Sequence, residues 1–154
     1  MNSYFKITKK LKDLVQEDVS VATVVHGKTS ESDLYKTNLF PLIHINPIGR
    51  DYSSPGLNIY KFELAALDKR QISKHNQIED KFYGNDNELD NLTTTDAILN
   101  RLITKLSLQV NEDDDIMILG MTDAFPVLLG KSNLLDGWVI TITLQIGNGT
   151  ISIC

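Results

Sequence analysis

The sequence predicts an α+β fold: a mostly antiparallel sheet with a long projecting hairpin and two main helices, in a single domain spanning residues 1–154. Three observations predict it. Two segments carry apolar residues at helical spacing, near residues 3–18 and 93–110. Two others, residues 57–67 and 137–146, alternate with the period of a half-buried strand. The order of elements is helix, strand, hairpin, helix, strands, without the regular strand–helix alternation of a parallel sheet. A chain of 154 residues is one domain's worth, and its 42% hydrophobic and 23% charged residues are those of an ordinary globular protein.

The first helix places Tyr4, Ile7, Leu11, Leu14 and Val15 on one face, with Lys6, Lys9, Lys10 and Lys12 over much of the remainder. Residues 19–25 are rich in β-branched side chains and end at His26-Gly27, a short strand entering a turn. A polar stretch occupies residues 28–38. Residues 39–45 read as a strand whose Pro41 assigns its start to an edge or irregular position. Asn46, Pro47, Gly49, Ser53, Ser54, Pro55 and Gly56 then form a breaker-rich turn. Beyond it, Tyr60, Phe62, Leu64 and Ala66 alternate with Lys61 and Glu63, so residues 39–45 and 57–67 make an antiparallel hairpin with a long tip.

Residues 68–90 are polar and read as a loop anchored by Ile72, Ile78, Phe82 and Tyr83. The second helix is expected to start near Thr93, with Thr93 and Asp96 as a capping box and Leu92 and Ala97 as a hydrophobic staple. Leu99, Leu102, Ile103, Leu106 and Val110 continue it. Residues 116–119 form a short strand, and residues 121–136 a connector with unusually high apolar content. From Gly137, Trp138, Ile140, Ile142, Leu144 and Ile146 alternate with Val139, Thr141, Thr143 and Gln145. Gly147-Asn148-Gly149 is a turn, after which residues 151–154 pair back as a last strand.

Charge and composition exclude several function classes. The net charge of −5 divides unevenly: residues 1–77 hold eleven Lys and Arg against eight Asp and Glu, and residues 78–154 hold four against twelve. The small N-terminal lysine patch lacks the interleaved aromatics of a nucleic-acid surface. Cys154 is the single cysteine, so no disulfide forms within the chain, which fits a reducing compartment. Neither a secretory signal nor an apolar run long enough to span a bilayer is present, and a soluble intracellular product is expected.

Chemistry-bearing motifs are equally sparse. His26, His44 and His75 lack second ligands at metal-site spacing, and His44 reads as a solvated strand residue. Gly27-Lys28-Thr29-Ser30 has the ending of a phosphate loop, but Ala22 stands where the first glycine of that motif belongs. The acidic run Glu112, Asp113, Asp114 and Asp115 has no glycine-turn calcium pattern; it reads as a solvated loop, a contact for a basic partner, or a metal site. No catalytic residue, metal or cofactor is assigned.

Two features point to association. The basic start and acidic second half would let copies attract head to tail, and contacts of that kind close into rings when the rotation permits. The apolar residues of 121–136, among them Phe125, Leu128 and Leu129, pack either on the protein's own core or on a neighbouring subunit. Lys9, Lys10, Lys12, Phe125, Leu128 and Leu129 are therefore the candidate subunit-interface residues.

Leu11-Lys12-Asp13-Leu14-Val15, Asn58-Ile59-Tyr60-Lys61-Phe62-Glu63-Leu64 and Leu135-Asp136-Gly137-Trp138-Val139-Ile140-Thr141-Ile142, taken in this order of elements, resemble the small tail-terminator, tail-completion and neck proteins of tailed bacteriophages. The resemblance implies a tail-terminator-like fold and a non-enzymatic virion protein, assembled in the bacterial host cytoplasm. It implies rings, commonly of six or twelve copies, at the portal–neck–tail junction, in contact with portal, neck or tail-tube proteins. It also implies that Glu112, Asp113, Asp114 and Asp115 form an acidic lumen or contact loop past which DNA slides without specific binding, since like charges repel the phosphate backbone. The alternative is a small intracellular protein-binding adaptor, monomeric or dimeric. An enzyme ranks third, for want of nucleophile, metal and phosphate motifs.

Overall fold

A computed structural model describes residues 3–27, 39–70, 87–109, 116–130 and 134–147. Its elements are α1 (Ser3–Gln16), β1 (Thr23–His26), β2 (Leu42–Asp51), β3 (Asn58–Lys69), α2 (Glu88–Gln109), β4 (Ile116–Met121), β5 (Phe125–Gly130) and β6 (Leu135–Ile146). They form an α+β fold with a six-stranded sheet in the order β1-β2-β3-β6-β4, and β5 also pairs with β6. β1 runs parallel to β2; every other pairing is antiparallel.

The period-two patterns of β3 and β6 decide which face is the core. Their register sets Tyr60 opposite Leu144, Phe62 opposite Ile142, Leu64 opposite Ile140 and Ala66 opposite Trp138. These residues meet Ile7, Leu11, Leu14 and Val15 of α1 and Ile98, Leu99, Leu102 and Leu106 of α2 in one buried cluster. Both helices therefore lie on one face. Each fully buried Leu, Ile or Phe there contributes about 1.5–3 kcal/mol, an upper figure because unfolded chains already bury some surface. On the opposite face, Leu42, Ala65, Leu67 and Leu135 form a smaller buried cluster, with Val25, Phe40, Val127 and Val139 against it. His44, opposite Ala65 in the register, is completely buried rather than solvated, because this second cluster surrounds its position.

Several expected boundaries move. β2 begins after Pro41 instead of at residue 39, and it is an inner strand. Pro41 follows a cis peptide bond and lies outside the ladder, where its carbonyl accepts from the Ala22 and Thr23 amides at 2.9 and 3.4 Å. The same strand runs through Pro47 to Asp51, with a register shift between Pro47 and Gly49 absorbing the irregularity. Residues 52–57 form the hairpin tip.

α2 starts at Glu88, ahead of Thr93, so the loop expected at 68–90 is shortened at both ends by β3 and α2. Asn87 takes the N-cap position, its carbonyl accepting from the Asn91 amide at 2.9 Å. Thr93 is already inside the helix and donates its hydroxyl to the Leu89 carbonyl at 2.8 Å, so the expected capping box and staple are not the start of this helix. The connector expected at 121–136 contains β5 and the first residues of β6. The acidic run 112–115, Val110, the anchors Ile72, Ile78, Phe82 and Tyr83, His75, residues 28–38 and the final strand at 151–154 lie outside the described residues.

Candidate association surface

β6 is the longest-range organiser of the sheet, and the surface follows from how it is flanked. One side of β6 pairs with β3 along its whole length. On the other side, β4 pairs with residues 142–146 and β5 with residues 135–139, so residues 116–130 run as one interrupted strand along the sheet margin. Thr122 bridges the interruption: its amide donates to the Thr141 carbonyl at 3.0 Å, and its hydroxyl accepts from the Thr141 amide at 3.1 Å. A side chain here replaces the backbone carbonyl that an unbroken ladder would supply.

The margin made by β4 and β5 is apolar and exposed. Phe125 is 65% exposed and Met117 52%, with Leu119, Met121 and Leu128 exposed to a similar degree. Between residues 116 and 130 the one charged side chain is Asp123. Natural edge strands are ordinarily blunted by lysines, inward charges or covering elements, because their free N–H and C=O groups template pairing with another chain. Among the described residues, this margin is interrupted by Pro126 and by register shifts at Ile118/Gly120 and Val127/Gly130. Leu129 lies on β5 with Phe125 and Leu128.

The predicted basic residues are elsewhere. Lys9 and Lys12 are exposed on α1 and Lys10 is half-buried. The Lys9 ammonium lies 2.6 Å from an Asp13 carboxylate oxygen, an exposed pair one helical turn apart. α1 packs beside β1, where the Tyr4 hydroxyl and His26 Nε2 are hydrogen-bonded at 2.8 Å. The fold thus carries Lys9, Lys10 and Lys12 on α1, which packs beside β1 and α2, and Phe125, Leu128 and Leu129 on β5 at the β4–β5 margin. Glu112, Asp113, Asp114 and Asp115 precede β4 in sequence and are outside the described residues.

A buried polar centre joins the end of β3 to the start of β6. Arg70, at the end of β3, is 5% exposed, and Asp136, at the start of β6, is fully buried. The guanidinium grips Asp136 in a two-pronged contact, Nε to Oδ2 and Nη2 to Oδ1, both at 2.8 Å. Nη2 also donates to Glu88 at 2.6 Å. The Asn91 amide reaches Asp136 at 3.2 Å, and Asn87 donates to Asn91 at 3.1 Å and to the Lys69 carbonyl at 3.3 Å. Hydrogen bonds from Arg70 to Asp136 hold the arginine protonated, raising its pKa against the opposing effect of burial. Asp68, facing Asp136 across the β3–β6 ladder, has its pKa raised by burial first and by the Asp136 charge second.

With Arg70 engaged by two carboxylates and Asp136 closed to solvent, this centre fastens α2 to one end of the sheet. Trp138 adds to the fastening, its indole N–H donating to the Leu92 carbonyl at 3.0 Å. A bidentate arginine contact between residues so far apart in sequence has no local signal; only the β3–β6 register brings them together.

Among the described residues, no group of three or more His, Cys, Asp or Glu is arranged to hold a metal ion. No described helix is long and apolar enough to cross a membrane. An open cavity of about 170 Å³ lies at the hairpin tip, lined by Arg50, Tyr52, Ser54, Pro55, Gly56, Leu57 and Asn58. Small-molecule sites usually occupy roughly 300–1,000 Å³. No family model matches this chain, and no curated protein is significantly similar to it.

Proposed function

We propose that the chain is a structural subunit that assembles into a homo-oligomeric ring at the portal–neck–tail junction of a tailed bacteriophage, where it ends the tail tube or joins it to the head. The observation that carries this reading is the apolar β4–β5 margin, where Met117, Leu119, Met121, Phe125 and Leu128 are exposed on strands with almost no charge. Such a margin is a liability on a monomer and an asset in an assembly. The layout of the sequence, which resembles the tail-terminator, tail-completion and neck proteins, gives the assembly its place in the virion. The subunit needs no cofactor in this role. A ring of these chains carries an excess of acid from residues 78–154, which favours passage of DNA without adhesion.

Labelling of intact particles tests the reading. An antibody against the chain should bind at the head–tail junction, and the purified chain should bind portal or tail-tube protein. A monomer that binds neither, and instead shows a saturable thermal shift with one peptide or small ligand, would establish the adaptor reading in its place.

A further inference from the structure

The aromatic packing beneath α1 runs outward along the helix-bearing face of the sheet and ends at an arginine. Tyr4 stacks on Phe62 with ring centroids 6.2 Å apart and tilts against Tyr60 at 5.5 Å. Arg50 stands opposite Tyr60 in the β2–β3 ladder, so the two side chains share that face. Its guanidinium carbon lies 5.2 Å from the centre of the buried Tyr60 ring and 4.4 Å from that of the exposed Tyr52. Two hydrogen bonds fix the group there. Nη1 donates to the Tyr52 hydroxyl at 3.2 Å, and Nη2 donates to Asn58 Oδ1 at 2.8 Å. Asn58 is held in turn, its Nδ2 donating to the Ser3 hydroxyl at 3.0 Å.

This cation is positioned but not neutralised. The chain's other two arginines are each clasped by carboxylates, Arg70 by Asp136 and Glu88, and Arg101 by Asp18. Arg50 has uncharged partners alone among the described residues, and they engage two of its five N–H donors. The nearest carboxylate in sequence, Asp51, alternates to the other face of the strand and accepts from the Ser53 amide at 2.7 Å. What Arg50 borders instead is the open cavity of about 170 Å³ at the hairpin tip, where it is the one charged residue of the lining. Tyr52, Pro55 and Leu57 make the apolar part of that lining.

These features select a ligand chemistry. A guanidinium with spare donors grips a carboxylate or a phosphate in a two-pronged contact, and a group already held by rings and hydrogen bonds loses little freedom in doing so. A single cation balances the one charge of a carboxylate. A phosphate monoester, at roughly −1.5 to −2, would be left with excess charge. The apolar lining suits a hydrocarbon group attached to the anion.

We propose that the hairpin-tip cavity binds a carboxylate carried on an apolar group, with Arg50 holding the anion and Tyr52 supporting Arg50. The cavity takes a small organic acid, or the C-terminal residue of a peptide whose remainder stays outside. This site is independent of the ring reading, and neither depends on the other.

Titration of the ¹⁵N-labelled chain with benzoate tests the proposal. The amide signals of residues 50–58 and the Arg50 Nε–H signal should shift together, with a dissociation constant on the order of 1 mM for so small a ligand. Benzamide, which matches benzoate in shape without its charge, should bind at least about ten-fold more weakly. Arg50→Gln should abolish the shifts and keep the parent's melting temperature, because Arg50 is exposed. Arg50→Lys keeps the charge but loses the fork and the stacking, and should weaken binding several-fold.

A tetrapeptide ending in phenylalanine, compared with its C-terminal amide, separates the two sources. Acid-dependent binding tighter than that of benzoate upholds the site as one for a peptide terminus. Benzoate binding as tightly as the peptide, or more so, upholds it as one for a small acid. Absence of shifts at about 20 mM benzoate, equal binding of benzamide, or full binding by Arg50→Gln overturns the site. Inorganic phosphate binding more tightly than benzoate overturns the assignment to a carboxylate.

Discussion

Replacing Arg70 with methionine keeps most of the side chain's reach and removes the cation between Asp136 and Glu88. Glu88 retains some solvent contact, with its side chain 21% exposed, but Asp136 has none. The Asn91 side-chain amide stays at 3.2 Å from Asp136, but the carboxylate loses its two 2.8 Å bonds to the guanidinium. Breaking one side of a buried pair costs about 3–5 kcal/mol. Domains of this kind are stable by roughly 5–15 kcal/mol, so the variant loses a large share of the total. At about 2–4 °C per kcal/mol, the melting temperature falls by roughly 6–20 °C. Urea unfolding followed by Trp138 fluorescence measures the loss directly. The double variant R70M/D136L removes both charges and should recover part of the stability, since a buried pair replaced by apolar groups is often close to neutral. A loss below about 1 kcal/mol for R70M, or a double variant no better than R70M, would refute the argument that this centre fastens α2 to the sheet.

Gly137→Ala places a Cβ 1.8 Å from the Ala66 carbonyl oxygen, which is backbone and cannot swing aside; the β3–β6 ladder must part, and urea unfolding should show a loss of about 3 kcal/mol or more. Thr122→Val removes the hydroxyl that accepts from the Thr141 amide, costing about 0.5–1.5 kcal/mol and speeding hydrogen exchange at Thr141. Hydrogen bonds from Arg101 hold the Asp18 pKa below the ordinary 3.8, with further help from the Ser20 amide and the Arg101 and Lys105 charges against the effect of burial. A lowered folded-state pKa gives stability that is present above the unfolded value and lost as pH falls through the folded one. The gap between parent and Asp18→Asn, about 1 kcal/mol or less for so exposed an arginine, should therefore be constant near neutrality and close in acid.

The parts of the fold legible in the sequence are those where packing repeats at a fixed period. Ile7, Leu11, Leu14 and Val15 predict the buried stripe of α1, and the alternations of β3 and β6 predict their core face. The start of α2 was hidden because its first turns bury Asn91 and Thr95, which polarity alone assigns to a surface. Thr95 is satisfied inside the helix, donating to the Asn91 carbonyl at 2.7 Å. β5 read as a connector because Phe125, Pro126, Val127, Leu128 and Leu129 form an apolar run without alternation and contain a proline. The apolar content of that run was nevertheless the signal that marked the margin. Arg70 and Asp136 were unreadable for a different reason. Each fell in a segment expected to be irregular, and only strand register joins them.

β6 is the last described element in chain order, yet it lies between β3 and the β4–β5 strand, and its Ile142, Leu144 and Ile146 complete the main cluster. A ribosome making the chain at about 5–20 residues per second therefore releases α1, the β2–β3 hairpin and α2 before the strand that unites them exists. Until then, the inner edge of β3 has no native partner, and the apolar faces of both helices lack the share of their cover that Ile140, Ile142, Leu144 and Ile146 supply. The β3–β6 ladder, from Asn58–Ile146 at one end to Lys69–Leu135 at the other, can be completed only after residue 146 has been made. Non-local pairing of this kind is slow to form, so nascent chains crowded on one message expose matching strand edges to each other before they can hide them.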